Sequence, residues 1–157
     1  HPKTIRPLEN KKIPLYVKPF SNPTAEGSVI IEHAAPINVP VYIWRTNQVL
    51  ITLRAKDFAF VLEESLSHIF QIIHANRLRV SLIQSSAVTI SVCVDNSRFV
   101  AKAIEQLQDA YRVTWNENLS LLTIRGTTPN ILKQEQQGRD ILLSQLTRRT
   151  AKLVIKD

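Results

Sequence analysis

The sequence predicts an α+β fold, a β-α-β-β-α-β module followed by a shorter β-α-β-β unit. Three observations predict it. Runs of alternating apolar and polar residues, each of strand length, flank two segments whose apolar residues recur at helical spacing. Hydrophobic residues make up 44% of the chain and aromatics only 6%, which suits an aliphatic core and excludes a disordered chain. Turn-forming residues separate the runs.

The elements follow in order. His33-Ala34-Ala35-Pro36-Ile37-Asn38 is a loose stretch, and Pro36 and Pro40 mark it as a connector. Val39 to Trp44 then alternates bulky apolar and other residues. Val49-Leu50-Ile51-Thr52-Leu53 is an apolar run of strand length, punctuated by Lys56-Asp57. Leu62, Leu66, Ile69, Phe70 and Ile73 fall at helical spacing, with Glu63, Glu64, Ser67, Gln71 and His74 on other faces. That spacing predicts an amphipathic helix over 61–75, ending near Asn76.

Leu78, Val80 and Leu82 alternate with Arg79, Ser81 and Ile83 and predict a strand. Gln84-Ser85-Ser86 predicts a turn. Val88, Ile90, Val92 and Val94 predict a second strand, antiparallel to the first. Asp95-Asn96-Ser97 offers side chains that accept backbone N–H bonds at a helix start. Val100, Ala103, Ile104 and Leu107 mark the second helix, and Tyr111 to Trp115 the fourth strand. This order is ferredoxin-like. Asn116-Glu117-Asn118 predicts a tight polar turn before a strand over Leu119 to Ile124. A short helix is expected around Ile131 to Gln136, closed by Gly138. Ile141 to Leu146 and Ala151 to Ile155 are expected strands, with Lys152 and Lys156 facing away from Ala151, Leu153 and Ile155. This second unit reads as a shortened copy of the first, completing its sheet against that module or a partner chain.

Charge and cysteine content narrow the function classes. The net charge of +7 is concentrated at the two ends. Lys3, Arg6, Lys11, Lys12 and Lys18 lie near the start; Arg139, Arg148, Arg149, Lys152 and Lys156 lie near the finish. No basic stripe follows one element, which argues against nucleic acid as partner. The single Cys93, in an apolar strand, is expected to be a small core residue. It allows no internal disulfide and no cysteine zinc cluster. No apolar run is long enough to span a membrane and no signal peptide opens the chain, so a soluble, cytoplasmic setting is expected, without membrane partner. His68 and His74 lie on different helical faces, and no metal site is expected. Ser85, Ser86 and Asp95 lack a histidine placed to act as base, so no catalytic residue is assigned.

One stretch carries a more specific signal. His1-Pro2, Thr4-Ile5, Pro7, Ile13-Pro14-Leu15, Val17, Asn22-Pro23 and Gly27-Ser28-Val29-Ile30 keep the order and spacing of a segment that closes the catalytic domain of aspartate kinases. Further on, Leu78-Arg79-Val80-Ser81-Leu82-Ile83, the turn Gln84-Ser85-Ser86 and the strand Ala87 to Val92 resemble ISVDLI, turn and strand in that family's first ACT module. The chain therefore resembles the C-terminal regulatory region of aspartate kinases. The absence of Met, the first residue included, fits a piece of a larger protein.

The resemblance implies three parts. Residues 1–38 are a remnant of the kinase catalytic domain with a linker, 39–117 a first ferredoxin-like ACT domain, and 118–157 a truncated second ACT-like unit. It implies a parent enzyme that transfers the γ-phosphoryl of ATP to the side-chain carboxylate of L-aspartate, with ATP and Mg as cofactors. The phosphate-handling K-F-G-G-T-S motif of the family is missing. Only Gly27, Gly126 and Gly138 occur, with no two close enough for a phosphate-cradling loop, so this fragment is expected to have no cofactor and no activity. Its expected partners are the catalytic domain of its own chain, a second copy through the ACT domains, and L-lysine or L-threonine as effector.

Residues that map onto the family's effector pocket lie in two groups. Phe60, Glu63, Glu64 and Ser65 belong to the β–α turn and helix start. Arg79, Val80, Ser81, Gln84, Ser85 and Ser86 belong to the next strand and its turn. A free amino acid presents a carboxylate, suited to unpaired N–H groups, and an ammonium, suited to a carboxylate or carbonyls. Where the family has an acid for that ammonium, this chain has Ser81. Two alternatives stay open: an ACT dimerisation module without effector binding, and an RNA-binding ferredoxin-like domain. The RNA domain needs stacking aromatics on its inner strands; the expected inner strands, Val49 to Leu53 and Val88 to Val94, carry none.

Overall fold

The computed structural model describes residues 2–32, 39–56 and 63–156. His1, the connector 33–38, Asp57, Phe60 and Leu62 lie outside the described residues. The chain divides into two compact units, His1–Asn38 and Val39–Asp157.

The first unit holds helix α1 (Pro2–Asn10) and a small hairpin of β1 (Leu15–Val17) and β2 (Ser28–Ile30). Proline in the first turn costs little, because that N–H has no helical acceptor. Lys12 closes the turn after α1 at φ 55° and pairs with Glu32 at 3.7 Å. Gly27, at φ 72°, brings its backbone so close to the Val17 carbonyl that a Cβ would collide with it. Ile5, Leu8, Ile13, Pro14, Leu15 and Ile30 line a cavity of about 380 Å³ in this unit.

The second unit carries β3 (Val41–Ala55), α2 (Glu63–Ala75), β4 (Val80–Ser85), β5 (Thr89–Asp95) and α3 (Val100–Ala110). It continues with β6 (Tyr111–Arg125), α4 (Pro129–Gln136), β7 (Ile141–Leu146) and β8 (Thr150–Lys156). One antiparallel sheet runs in the order β4-β5-β3-β6-β8-β7. The segment β4-β5-β3-β6, with α2 and α3 between its strands, is the ferredoxin-like arrangement.

Two expected breaks are absent. The stretches either side of Arg45-Thr46-Asn47 form one strand, as do those either side of Asn116-Glu117-Asn118. Both polar runs have turn composition, yet each is a bulge opposite the other strand. The register steps from Arg45↔Leu121 to Gln48↔Leu119 to Leu50↔Asn116. Asn47 and Asn118 take left-handed backbone, φ 54° and 56°, which Asn tolerates better than most residues. Position 117/118 therefore lies inside β6.

These two strands interlock the halves of the unit. The C-terminal half of β3 and the N-terminal half of β6 complete the first module. The second module takes the rest of β6, then α4, β7 and β8, and its fourth strand is the N-terminal half of β3. The pairing is self-symmetric: Trp44↔Leu122 mirrors Ile51↔Trp115, and Tyr42↔Ile124 mirrors Leu53↔Val113. A pseudo-twofold axis passes beside the Gln48↔Leu119 pair.

Three apolar clusters follow from the alternation of side chains. On the helix-covered face of the first module, Val49, Ile51, Leu53, Ile90 and Val92 pack against Ile69 and Ile73 of α2 and Val100, Ala103, Ile104 and Leu107 of α3. On the α4 face, Leu122, Ile124, Ala151, Leu153 and Ile155 meet Ile131 and Leu132. Between the modules, Leu50, Leu82 and Cys93 pack with Leu119, Leu121 and Val154. Each buried aliphatic side chain contributes roughly 1.5–3 kcal/mol. Phe70, placed by its spacing on the buried face of α2, is 40% exposed instead. The helix ends at Asn76, whose Nδ2 donates to the Ile72 carbonyl at 2.9 Å and to Gln106 Oε1 at 2.6 Å.

Among the described residues no helix is long and apolar enough to cross a membrane. Nor do three His, Cys, Asp or Glu side chains among them gather as a metal site.

Candidate functional site

The sheet curls until its two edges meet. Gln145 on β7 donates through Nε2 to the Ile83 carbonyl of β4 at 3.1 Å. Lys152 on β8 donates through Nζ to the Ser81 carbonyl at 3.2 Å. An edge strand leaves one row of backbone groups unpaired; here side chains of the second module occupy two of those carbonyls.

Ser81 is the centre of this seam. Its Oγ accepts from Arg45 Nη1 at 3.3 Å, and Arg45 also lies 3.5 Å from Asp95 Oδ1. Gln48, almost wholly buried, donates through Nε2 to the same Asp95 oxygen at 2.9 Å and to the Thr46 carbonyl at 3.1 Å. Cys93 Sγ donates to Gln48 Oε1 at 3.7 Å. Its pKa is pushed up from 9.0 to about 11, by burial first and then by the Asp95 carboxylate, with Lys152 and Arg45 pulling the other way. The thiol stays protonated at neutral pH and is a poor nucleophile, in keeping with a core residue.

The residues expected at the pocket divide accordingly. Ser81 sits in the seam, and Val80 beside it packs on the first-module core. Arg79 is exposed, and its carbonyl accepts from the Asp95 N–H at 3.2 Å. Gln84 and Ser85 are exposed at the end of β4, which takes in the first two residues of the turn expected at 84–86. The chain reverses just beyond. Ser86 Oγ lies 2.7 Å from Thr89 Oγ1 and accepts the Thr89 N–H at 3.1 Å. Glu63 opens α2. Glu64 is exposed in its first turn, and Ser65, half-buried, accepts the Tyr111 hydroxyl on its carbonyl at 3.3 Å. Phe60 lies outside the described residues.

Sequence alone missed Arg45, Asp95 and Lys152 as neighbours of Ser81. The alternation of β8 did place Lys152 opposite Ala151, Leu153 and Ile155. Nothing local says that β8 folds over β4, because that depends on the curl of six strands.

The fold defines a class: two interlocked ferredoxin-like modules on one curled antiparallel sheet. Solved structures that this chain resembles include aspartokinases. The E. coli aspartokinase III complex with lysine and aspartate superimposes with TM-score 0.76 at 19% identity, covering 99% of this chain and 38% of that one. The Clostridium acetobutylicum aspartate kinase gives 0.81 at 14% identity, covering 99% and 41%. A putative C-terminal regulatory domain of aspartate kinase from Porphyromonas gingivalis gives 0.61 at 14%, covering 76% and 88%. The chain thus has the fold of an aspartokinase regulatory region and spans about two fifths of the full-length enzymes. No family model and no curated protein matches the sequence.

Proposed function

We propose that this chain is the regulatory region of an aspartate kinase, the enzyme that converts ATP and L-aspartate to 4-phospho-L-aspartate and ADP. Residues 1–38 are then the tail of the catalytic domain; the first ACT domain lies within 39–117, and the second takes 118–157 together with the N-terminal half of β3. The observation that carries the proposal is the likeness over 99% of the chain to complete aspartokinases. The motif matches between His1 and Ile30 point the same way.

The chain's role is sensing. An end-product amino acid, lysine or threonine, binds where ACT domains of two copies associate and favours one arrangement of the parent enzyme over another. A ligand shifts such an equilibrium only by its difference in affinity for the two states. The residues present do not fit ATP and magnesium. The three glycines are far apart in sequence, and the described residues offer no cluster of three ligating side chains. The catalytic step belongs to the rest of the parent.

RNA binding in the manner of other ferredoxin-like domains needs an open, helix-free sheet face. Here Leu50, Leu82 and Cys93 on that face are buried against Leu119, Leu121 and Val154. The remaining alternative is a dimerisation module without effector.

Calorimetric titration with lysine and with threonine separates these readings. Saturable heat with one of them is expected; silence with both leaves the dimerisation module. Production of ADP from aspartate and ATP by this chain alone would overturn the assignment.

A further inference from the structure

We propose that the seam at Ser81 binds an anionic group, a ligand carboxylate held between Arg45 and Lys152. The proposal rests on the regulatory role above, but it places the ligand's anionic group in a seam within one chain and adds the polarity of that group.

Two cations from different strands converge on one residue. Arg45 of β3 reaches the Ser81 hydroxyl and Lys152 of β8 reaches the Ser81 carbonyl, at 3.3 and 3.2 Å. The nearby carboxylate, Asp95, is already engaged by the Gln48 amide at 2.9 Å and by Arg45 at 3.5 Å. The cluster therefore has one more cation than anion. Ser81 and Lys152 are half-buried and Arg45 is exposed, so solvent screens the Lys152 charge less than it would on an open surface. A carboxylate that bridges a guanidinium and an ammonium makes charge-assisted hydrogen bonds to both. An ammonium at the same place meets like charge.

The internal symmetry shows that the fold does not require this charge. Under the pseudo-twofold axis Arg45 corresponds to Asn116, since Arg45↔Leu121 mirrors Leu50↔Asn116. The matching irregularities Val80/Leu82 and Ile141/Leu143 make Ser81 the counterpart of Leu142. Lys152 then corresponds to Ser91. The opposite seam thus has Asn116, Leu142 and Ser91, with Lys156 in the place of Asp95, and so holds one cation and no pair. The two halves share a backbone plan, and one carries the pair of cations.

The excess charge also ranks ligands. Lysine brings a second ammonium and is disfavoured relative to threonine, whose side chain is neutral.

The test uses the intact 157-residue chain. Backbone amide NMR signals are followed during titration at low ionic strength with succinate and, separately, with 1,5-diaminopentane. Succinate is expected to move the Ser81 and Lys152 signals, the diamine to leave them in place. Lys152→Gln and Arg45→Gln should each weaken succinate binding about tenfold, the loss expected for one charge-assisted hydrogen bond. Ser81→Asp should abolish it, because the cluster then has as many anions as cations. Unchanged signals from the α3 core verify folding of each variant. Diamine binding to the native chain, or no movement at Ser81 with either probe, overturns the proposal. Threonine binding with Ser81 silent to succinate rejects the seam and leaves the regulatory role. Succinate binding at Ser81 with no amino acid bound supports the seam and rejects that role.

Discussion

Trp44 and Trp115 are mates under the pseudo-twofold axis of the sheet. Trp44 stands opposite Leu122 on β6, and Trp115 opposite Ile51 on β3. Each tryptophan is followed three residues later by an asparagine in left-handed backbone, Asn47 or Asn118. The paired bulges let each long strand serve both modules: it leaves one and enters the other without a turn.

The asparagines are therefore structural. A Cβ-bearing residue other than Asn or Asp costs roughly 1–2 kcal/mol in this region of backbone, whereas Gly adopts it freely. Asn118→Ala is expected to lower unfolding free energy by about 1 kcal/mol, and Asn118→Val by more. Asn118→Gly should be close to neutral. Urea denaturation measures all three; an Ala variant as stable as Gly would contradict the conformational explanation.

The shared strands also predict that the modules unfold together. Leu121 is buried between them, with Leu50 and Leu82 from one side and Leu119 and Val154 from the other. Leu121→Ala should cost about 3 kcal/mol, within the usual span for a buried leucine. Trp115 reports on the first module's last strand and Trp44 on the second module's. Single-tryptophan variants Trp44→Phe and Trp115→Phe should show the same urea midpoint by fluorescence as by circular dichroism. Two separated midpoints would mean that the modules are independent.

Closure of the sheet rests on side chains and not on a ladder of backbone bonds. Removing the Gln145 amide leaves the Ile83 carbonyl without that donor. Gln145→Ala is expected to cost about 1 kcal/mol, the net worth of an ordinary hydrogen bond. Amide exchange of β4 should rise selectively, while that of β5 and β3, inside the sheet, stays slow. Uniform acceleration across all strands would show a global loss of stability instead.

How much of this was legible depended on the range of the forces involved. The α3 stripe Val100, Ala103, Ile104 and Leu107 was readable because helical periodicity is local, and all four are buried. The β-α-β-β-α-β order followed from the same local signals. Continuity of β3 and β6 was not readable, since Asn116-Glu117-Asn118 has the composition of a turn and only pairing with β3 makes it a bulge. Phe70 fits the apolar stripe of α2 by spacing, yet 40% of it is exposed, because spacing alone does not say how far the stripe is covered. Ser81 was singled out from its place in a motif. Its cationic neighbours come from β3 and β8, far away in sequence, and only the curl of the sheet brings them in.

Cys93 gives the fold a measurable alkaline signature. Its thiol sits at about 11 in the folded chain against an ordinary 9.0, because burial and Asp95 both disfavour the thiolate. The folded state therefore holds this proton more tightly than the unfolded state between those values. Stability from this group is intact below about pH 9 and falls as pH rises toward 11. The total loss is on the order of 2 kcal/mol. Alkaline pH acts on stability through other groups as well, so the useful quantity is the difference from a variant. Cys93→Ser keeps a donor for Gln48 Oε1 and has no ionisation in this window. Its unfolding free energy should decline less steeply between pH 9 and 11 than that of the native chain. Parallel slopes for the two proteins would mean that the thiol ionises equally readily folded and unfolded, and that its burial carries no electrostatic penalty.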